Sequence, residues 1–106
     1  MENQVVLQLW EQSERNWGVR PDGCTLHSNV IECRNYINKI YENRQDNTDV
    51  PNEYERICGE PLYVQVDSDL FEMIQNEKSV VIPQYALANL LRLDAIVYSE
   101  SNTSID

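Results

Sequence analysis

A chain of 106 residues, 42% of them hydrophobic, has room for one domain around one core. Eighteen acidic side chains against eight basic ones leave a formal charge of −10, which sets the surface against direct binding of duplex DNA or RNA. No window approaches the ~20 apolar residues of a membrane span, so a membrane partner is not expected.

The first residues, Met1-Glu2-Asn3-Gln4, place no basic region before an apolar run. A secretory leader is therefore not expected, and the reading is a protein of the cytoplasm. Cys24, Cys33 and Cys58 are an odd number of cysteines with no C-x-x-C spacing, which suits reduced, partly buried thiols better than a metal site.

Val5, Leu7 and Leu9 alternate with Val6, Gln8 and Trp10, a period of two that predicts a strand buried on at least one face. Ser13 to Asn16 reads as a turn. If the chain reverses there, Trp17 to Arg20 pairs back and Trp10 lies opposite Trp17. Pro21-Asp22-Gly23 reads as a second turn, because Pro presets φ, Asp caps its own backbone and Gly accepts positive φ. Thr25-Leu26-His27 is then a short extension before the first helix.

That helix is predicted from Val30 to about Arg44, with Asn29 and Glu32 as a capping arrangement and Ser28 as a rival cap. Val30, Cys33, Tyr36, Ile37, Ile40 and Tyr41 form its apolar stripe. Gln45 to Glu53 is polar and turn-rich and reads as an exposed loop. Pro51 and Pro61 bracket a short segment with Tyr54 and Ile57 that takes no element of its own.

Leu62 to Asp67 alternates again and predicts a strand. Asp69 is expected to cap a helix whose third residue is Glu72 and whose apolar side is Leu70, Phe71, Met73 and Ile74. Val80-Val81-Ile82 is a short buried strand stopped by Pro83. Tyr85, Leu87, Leu90 and Leu91 fall at helical spacing within Gln84 to Leu93, and Ala95 to Tyr98 is a last strand. The sum is a single small α+β domain over residues 1–98, followed by a flexible tail over 99–106. Its sheet is mainly antiparallel, opens with a β-hairpin, and carries about three helices on one face.

Catalysis has little support in these residues. The chain has no G-x-S-x-G, no glycine-rich phosphate loop, no H-E-x-x-H and a single histidine, so no catalytic residue, metal or cofactor is assigned. Asp67 and Asp69 could pass for a metal pair, but a strand-to-helix junction uses aspartate to cap. Glu72, Glu77 and Lys78 fall at a helix end, the wrong context for a nuclease.

Residues 10–27 stand apart. They hold both tryptophans, the only histidine, and two of the six arginines. Trp10 and Trp17 offer flat stacking surfaces, Arg15 and Arg20 forked donors, and Asp22 an acceptor. His27 reads as a surface or capping side chain that could join them. Such a set suits a partner hot spot or a nucleotide-like ligand. A second candidate is electrostatic: Glu60, Asp67, Asp69, Glu72 and Glu77 follow one another with no base between Glu60 and Glu77.

The run W-E-x-S-E-x-x-W-G-x-R-P-D-G-x-[ST]-L-H, with Val50-Pro51-Asn52-Glu53-Tyr54-Glu55-Arg56 after the helix, resembles small acidic proteins of tailed phages and prophages. The likeness covers residues 10–58 and carries over no site assignment. It implies a context in which small acidic proteins block host defences or redirect host enzymes. Two functions are therefore expected to compete. One is an inhibitor that binds a basic host protein and imitates nucleic-acid charge. The other is an oligomer that sequesters a nucleotide-like signal through the Trp/Arg cluster.

Overall fold

A computed structural model describes residues 3–14, 18–45 and 53–98. The expected tail at 99–106 and most of the expected loop, residues 46–52, lie outside the described residues. The elements in chain order are β1 (Gln4–Glu14), β2 (Gly18–His27), α1 (Val30–Gln45), β3 (Glu53–Ile57), β4 (Leu62–Val66), α2 (Ser68–Glu77), β5 (Ser79–Ile82), α3 (Gln84–Arg92) and β6 (Ile96–Tyr98). Among the described residues, no helix is long and apolar enough to cross a membrane.

All strand pairs are antiparallel in one six-stranded sheet, ordered β5-β2-β1-β4-β6, with β3 also on β1. The α+β class, the antiparallel sheet and the opening hairpin are as the periodicities predict. β1 is the centre. Along one edge it pairs with β2; along the other, Gln4 to Leu7 pair with β4 and Trp10 to Glu14 pair with β3. At the step between those partners the Cys58 N–H donates to Leu9 O, while the buried Gln8 amide Nε2 donates to Leu9 O and Gly59 O. A side chain thus stands in for missing ladder bonds.

The helices do not share one face, contrary to expectation. Directly opposed residues of an antiparallel pair point the same way. Val5, Leu7, Cys24, Leu26, Val64, Val66, Ile82 and Ile96 therefore meet Leu70 and Ile74 of α2 and Leu87 of α3 in the apolar core. On the reverse face Val6, Gln8, Trp10, Thr25 and His27 lie on β1 and β2, and Tyr36 of α1 packs against the Trp10 and His27 rings. The physical reason is that β1 is apolar or aromatic at both parities, so each face needs its own cover.

Pro21-Asp22-Gly23 is not a turn. β2 runs through it, and the register changes between Leu9↔Cys24 and Glu11↔Pro21, so Asp22 and Gly23 together oppose Trp10. This is a β-bulge, with Gly23 at φ +81°. Trp10 consequently faces the bulge and Ile57; its expected partner Trp17 lies outside the described residues. β3 is the strand that local pattern missed, because Glu-Tyr-Glu-Arg-Ile has no apolar alternation and pairs with β1 from over forty residues away.

Helix starts follow capping chemistry. Asn29 Oδ1 accepts from Glu32 N at 2.9 Å, as expected for α1. For α2 the cap is Asp67, whose Oδ1 accepts from Leu70 N at 2.8 Å, and Asp69 sits inside the first turn. Exchanging these roles has a measurable consequence. Asp67→Ala should lower stability by about 1 kcal/mol, and Asp69→Ala by less than about half of that, in urea unfolding.

The bulge yields a sharper expectation. A Cβ on Gly23 would meet Ile82 O at 2.2 Å and Gln84 N at 2.9 Å, both backbone atoms, whereas nothing lies within 4 Å of one on Gly18. Gly23→Ala should therefore cost about 3 kcal/mol or more and shift the β5–α3 corner. Gly18→Ala, strained only by its φ, should cost about 1 kcal/mol. Urea midpoints of the two variants check the contrast.

Candidate functional site

The bulge drives Trp10 under α1, where it is 4% exposed. Its indole Nε1–H donates to Thr25 Oγ1 at 2.8 Å. Thr25 and His27, two apart on β2, share the face, and His27 Nε2 lies 2.7 Å from the same Oγ1. His27 Nδ1 lies 2.7 Å from Ser79 Oγ on β5, directly across the ladder. An indole N–H only donates, so Thr25 Oγ1 accepts that bond, and its second lone pair and its own proton let it either accept from or donate to Nε2. Either neutral tautomer satisfies both ring nitrogens, because the Thr25 and Ser79 hydroxyls can each donate or accept. The relay Trp10–Thr25–His27–Ser79 thus runs through a neutral imidazole.

Burial pushes the His27 pKa down to about 4, and it raises the thiols of Cys24 to about 12 and of Cys33 to about 11. At neutral pH these groups are uncharged, and the two thiols are protonated and weakly nucleophilic. All three described cysteines are free; Cys24 and Cys33 are buried and Cys58 is exposed.

The structure thus disperses the candidate block. Trp10 and His27 are interior groups with their polar atoms engaged, not stacking or surface groups; His27 is 0% exposed. Arg20 is exposed on β2, and its Nη2 donates to Gln12 Oε1 at 3.3 Å. Asp22, in the bulge, hydrogen-bonds with Glu55 of β3. Burial and then the Asp22 charge raise the Glu55 pKa, and Glu55 in turn raises that of the Tyr36 phenol, after burial. Arg15 lies with Trp17 outside the described residues.

The acidic candidates divide differently. Asp69, Glu72 and Glu77 come together on the outer side of α2, where with Met73 and Asn76 they line an open depression of about 290 Å³. Met73 is 50% exposed in its midst. Asp67 is committed to the cap, and Glu60 is exposed on the β3–β4 connection; neither lines the depression. Helical spacing explains the grouping, since positions three, four and eight apart fall on one side.

Sequence reasoning missed Thr25, Ser79 and Glu55. The alternation of Thr25 with His27 was a usable signal, but Ser79 stands 52 residues from His27 and Glu55 reaches Asp22 only through β3 pairing. Comparison with protein-family models, with curated proteins and with solved structures returned no match.

Thr25 is the node of the relay, and its removal is informative. Thr25→Val keeps the shape but strands the Trp10 N–H and leaves Nε2 without its hydroxyl partner. The expected cost is on the order of 3 kcal/mol, read from urea unfolding at pH 7.5. Trp10→Phe in the same background should then add less than it does alone, a coupling of about 1 kcal/mol.

Proposed function

We propose that this chain is an acidic protein-binding module that docks the outer face of α2 on a basic surface of a host protein and blocks it. This is the inhibitory, counter-defence role of a phage-type accessory protein. The observation that carries the reading is the depression on α2, where three carboxylates surround an exposed methionine. Carboxylates at helical spacing present charge to a groove that accommodates phosphates, and the net charge of −10 steers the chain toward such a groove from a distance. Met73 adds an adaptable apolar contact at the centre, where a charged rim alone gives little affinity.

The competing account, an oligomer that stacks a nucleotide-like ligand on the Trp/Arg cluster, has no such support. Trp10 and His27 are enclosed beneath α1, whereas Arg20 is exposed on β2, where it donates to Gln12.

The test is a pull-down from bacterial lysate with the wild-type chain and with the triple variant Asp69→Lys, Glu72→Lys, Glu77→Lys, followed by binding kinetics on the protein recovered. Wild-type affinity should fall steeply with salt. The triple variant should bind at least about 100-fold more weakly, chiefly through slower association. Its melting should change little, since these side chains are exposed. Wild-type affinity in the triple variant would reject the α2 face, and tight binding of random-sequence DNA by the wild type would reject the charge-mimic reading.

A further inference from the structure

The two faces of the sheet are held by different chemistry. The apolar core joins the strands to α2 and α3 and contains no residue of α1. Of the apolar stripe of α1, only Cys33 is buried; Tyr36, Ile37, Ile40 and Tyr41 are half-buried. Among the contacts that dock the helix are those of its tyrosines. The Tyr36 ring lies 6.1 Å from Trp10 edge-on and 5.3 Å from His27, and the Tyr41 hydroxyl accepts from Ile57 N.

We propose that α1 is an acid-sensitive lid: a proton taken up by His27 releases α1 from the sheet as a unit, while the core of β-strands, α2 and α3 stays folded. The relay suits a neutral imidazole, which donates from one ring nitrogen and accepts at the other. An imidazolium donates from both nitrogens, so Thr25 Oγ1 would have to accept from His27 as well as from Trp10, and neither the Thr25 nor the Ser79 hydroxyl could donate to the ring. The new charge would also be buried without a counterion.

The neighbours on every side confirm the lack of compensation. From α1 come the Tyr36 phenol and the neutral Cys33 thiol, with Arg34 exposed beyond it. From β5 comes Ser79, preceded by the exposed cation Lys78. From β1 come uncharged Val6, directly across, and Gln8; from β2, Thr25. Glu55 acts on Tyr36 and shares a hydrogen bond with Asp22, but burial is the sole cause of the His27 shift.

With α1 undocked, His27 meets water and regains its ordinary pKa of 6.5, against about 4 when covered. The open form therefore binds more protons between those values. Docking is at full strength above pH 6.5, weakens as pH falls through that range, and has lost this contribution below 4. The opening equilibrium at pH 5.0 should exceed that at pH 7.5 by roughly 30-fold. Opening uncovers Trp10 and His27, two residues that are otherwise interior.

Residue-resolved hydrogen exchange of the full chain at pH 7.5 and 5.0, corrected for intrinsic rates, tests the proposal. Protection of the α1 amides should fall about 30-fold, and that of β4 and α2 by less than about threefold. In His27→Gln the α1 change should vanish. Since the chain has one histidine, its imidazole resonance needs no assignment and gives a wild-type check independent of any variant's folding. Loss of α1 protection should follow the exposure and protonation of that ring. Unchanged α1 protection, loss spread equally over β4 and α2, or loss at a pH where the imidazole is still neutral would each overturn the proposal.

Discussion

The central strand β1 is hydrogen-bonded along both edges and covered on both faces, and the other elements take their positions from that fact. An eleven-residue strand with apolar side chains at both parities cannot sit at an edge or leave a face wet. β2 satisfies one edge, and β4 with β3 satisfies the other. The gap between β3 and β4 is tolerated because Gln8 supplies amide hydrogens where a ladder would have done so. Gly59 O takes that amide as a partner, and Leu9 O accepts it beside the Cys58 N–H, so the step between the two strands keeps its hydrogen bonds.

The double burial of β1 divides the labour between the faces. The α2/α3 side is aliphatic, and its affinity is non-directional. The α1 side carries Gln8, Thr25 and His27 beside Trp10, and directional hydrogen bonds join Trp10, Thr25 and His27 there. The α1 side is consequently specific in register and sensitive to anything that alters one proton. The bulge at Asp22–Gly23 belongs to the same logic. It sets Trp10 opposite two residues, lets Gly23 approach the β5–α3 corner, and places Asp22 within reach of Glu55.

Charge acts on another scale. It takes little part in the interior, where the relay is neutral, and collects outside on α2. An ion pair between Arg56 and Glu11, at 3.1 Å, ties β3 to β1 across the ladder, away from the acidic side of α2. The residues that organise the domain and those that face a partner are thus separate sets. A surface change on α2 can alter recognition while the core is unaffected, and a change in the relay can move α1 while the acidic helix stays in place.

The sequence by itself determined the local elements. Alternation at Val5–Trp10 and Leu62–Val66, helical spacing at Val30–Tyr41 and Gln84–Leu91, and the capping pair Asn29–Glu32 each carry their information within a few residues, because backbone periodicity and capping are local physics. It also gave the acidic character and the grouping of Asp69, Glu72 and Glu77, since a helix converts spacing into a face. Only the tertiary structure decided the rest. Pro21-Asp22-Gly23 has the composition of a turn and became a bulge, because β1 pairs past it on both sides. Glu53–Ile57 has no strand pattern and became a strand, because the free edge of β1 needed a partner. His27 has the setting of a surface residue and went to the interior, because Thr25 and Ser79 satisfy its ring and α1 closes over it. Each of these outcomes rests on a partner distant in the chain, and a pairing energy between distant residues leaves no trace in local pattern.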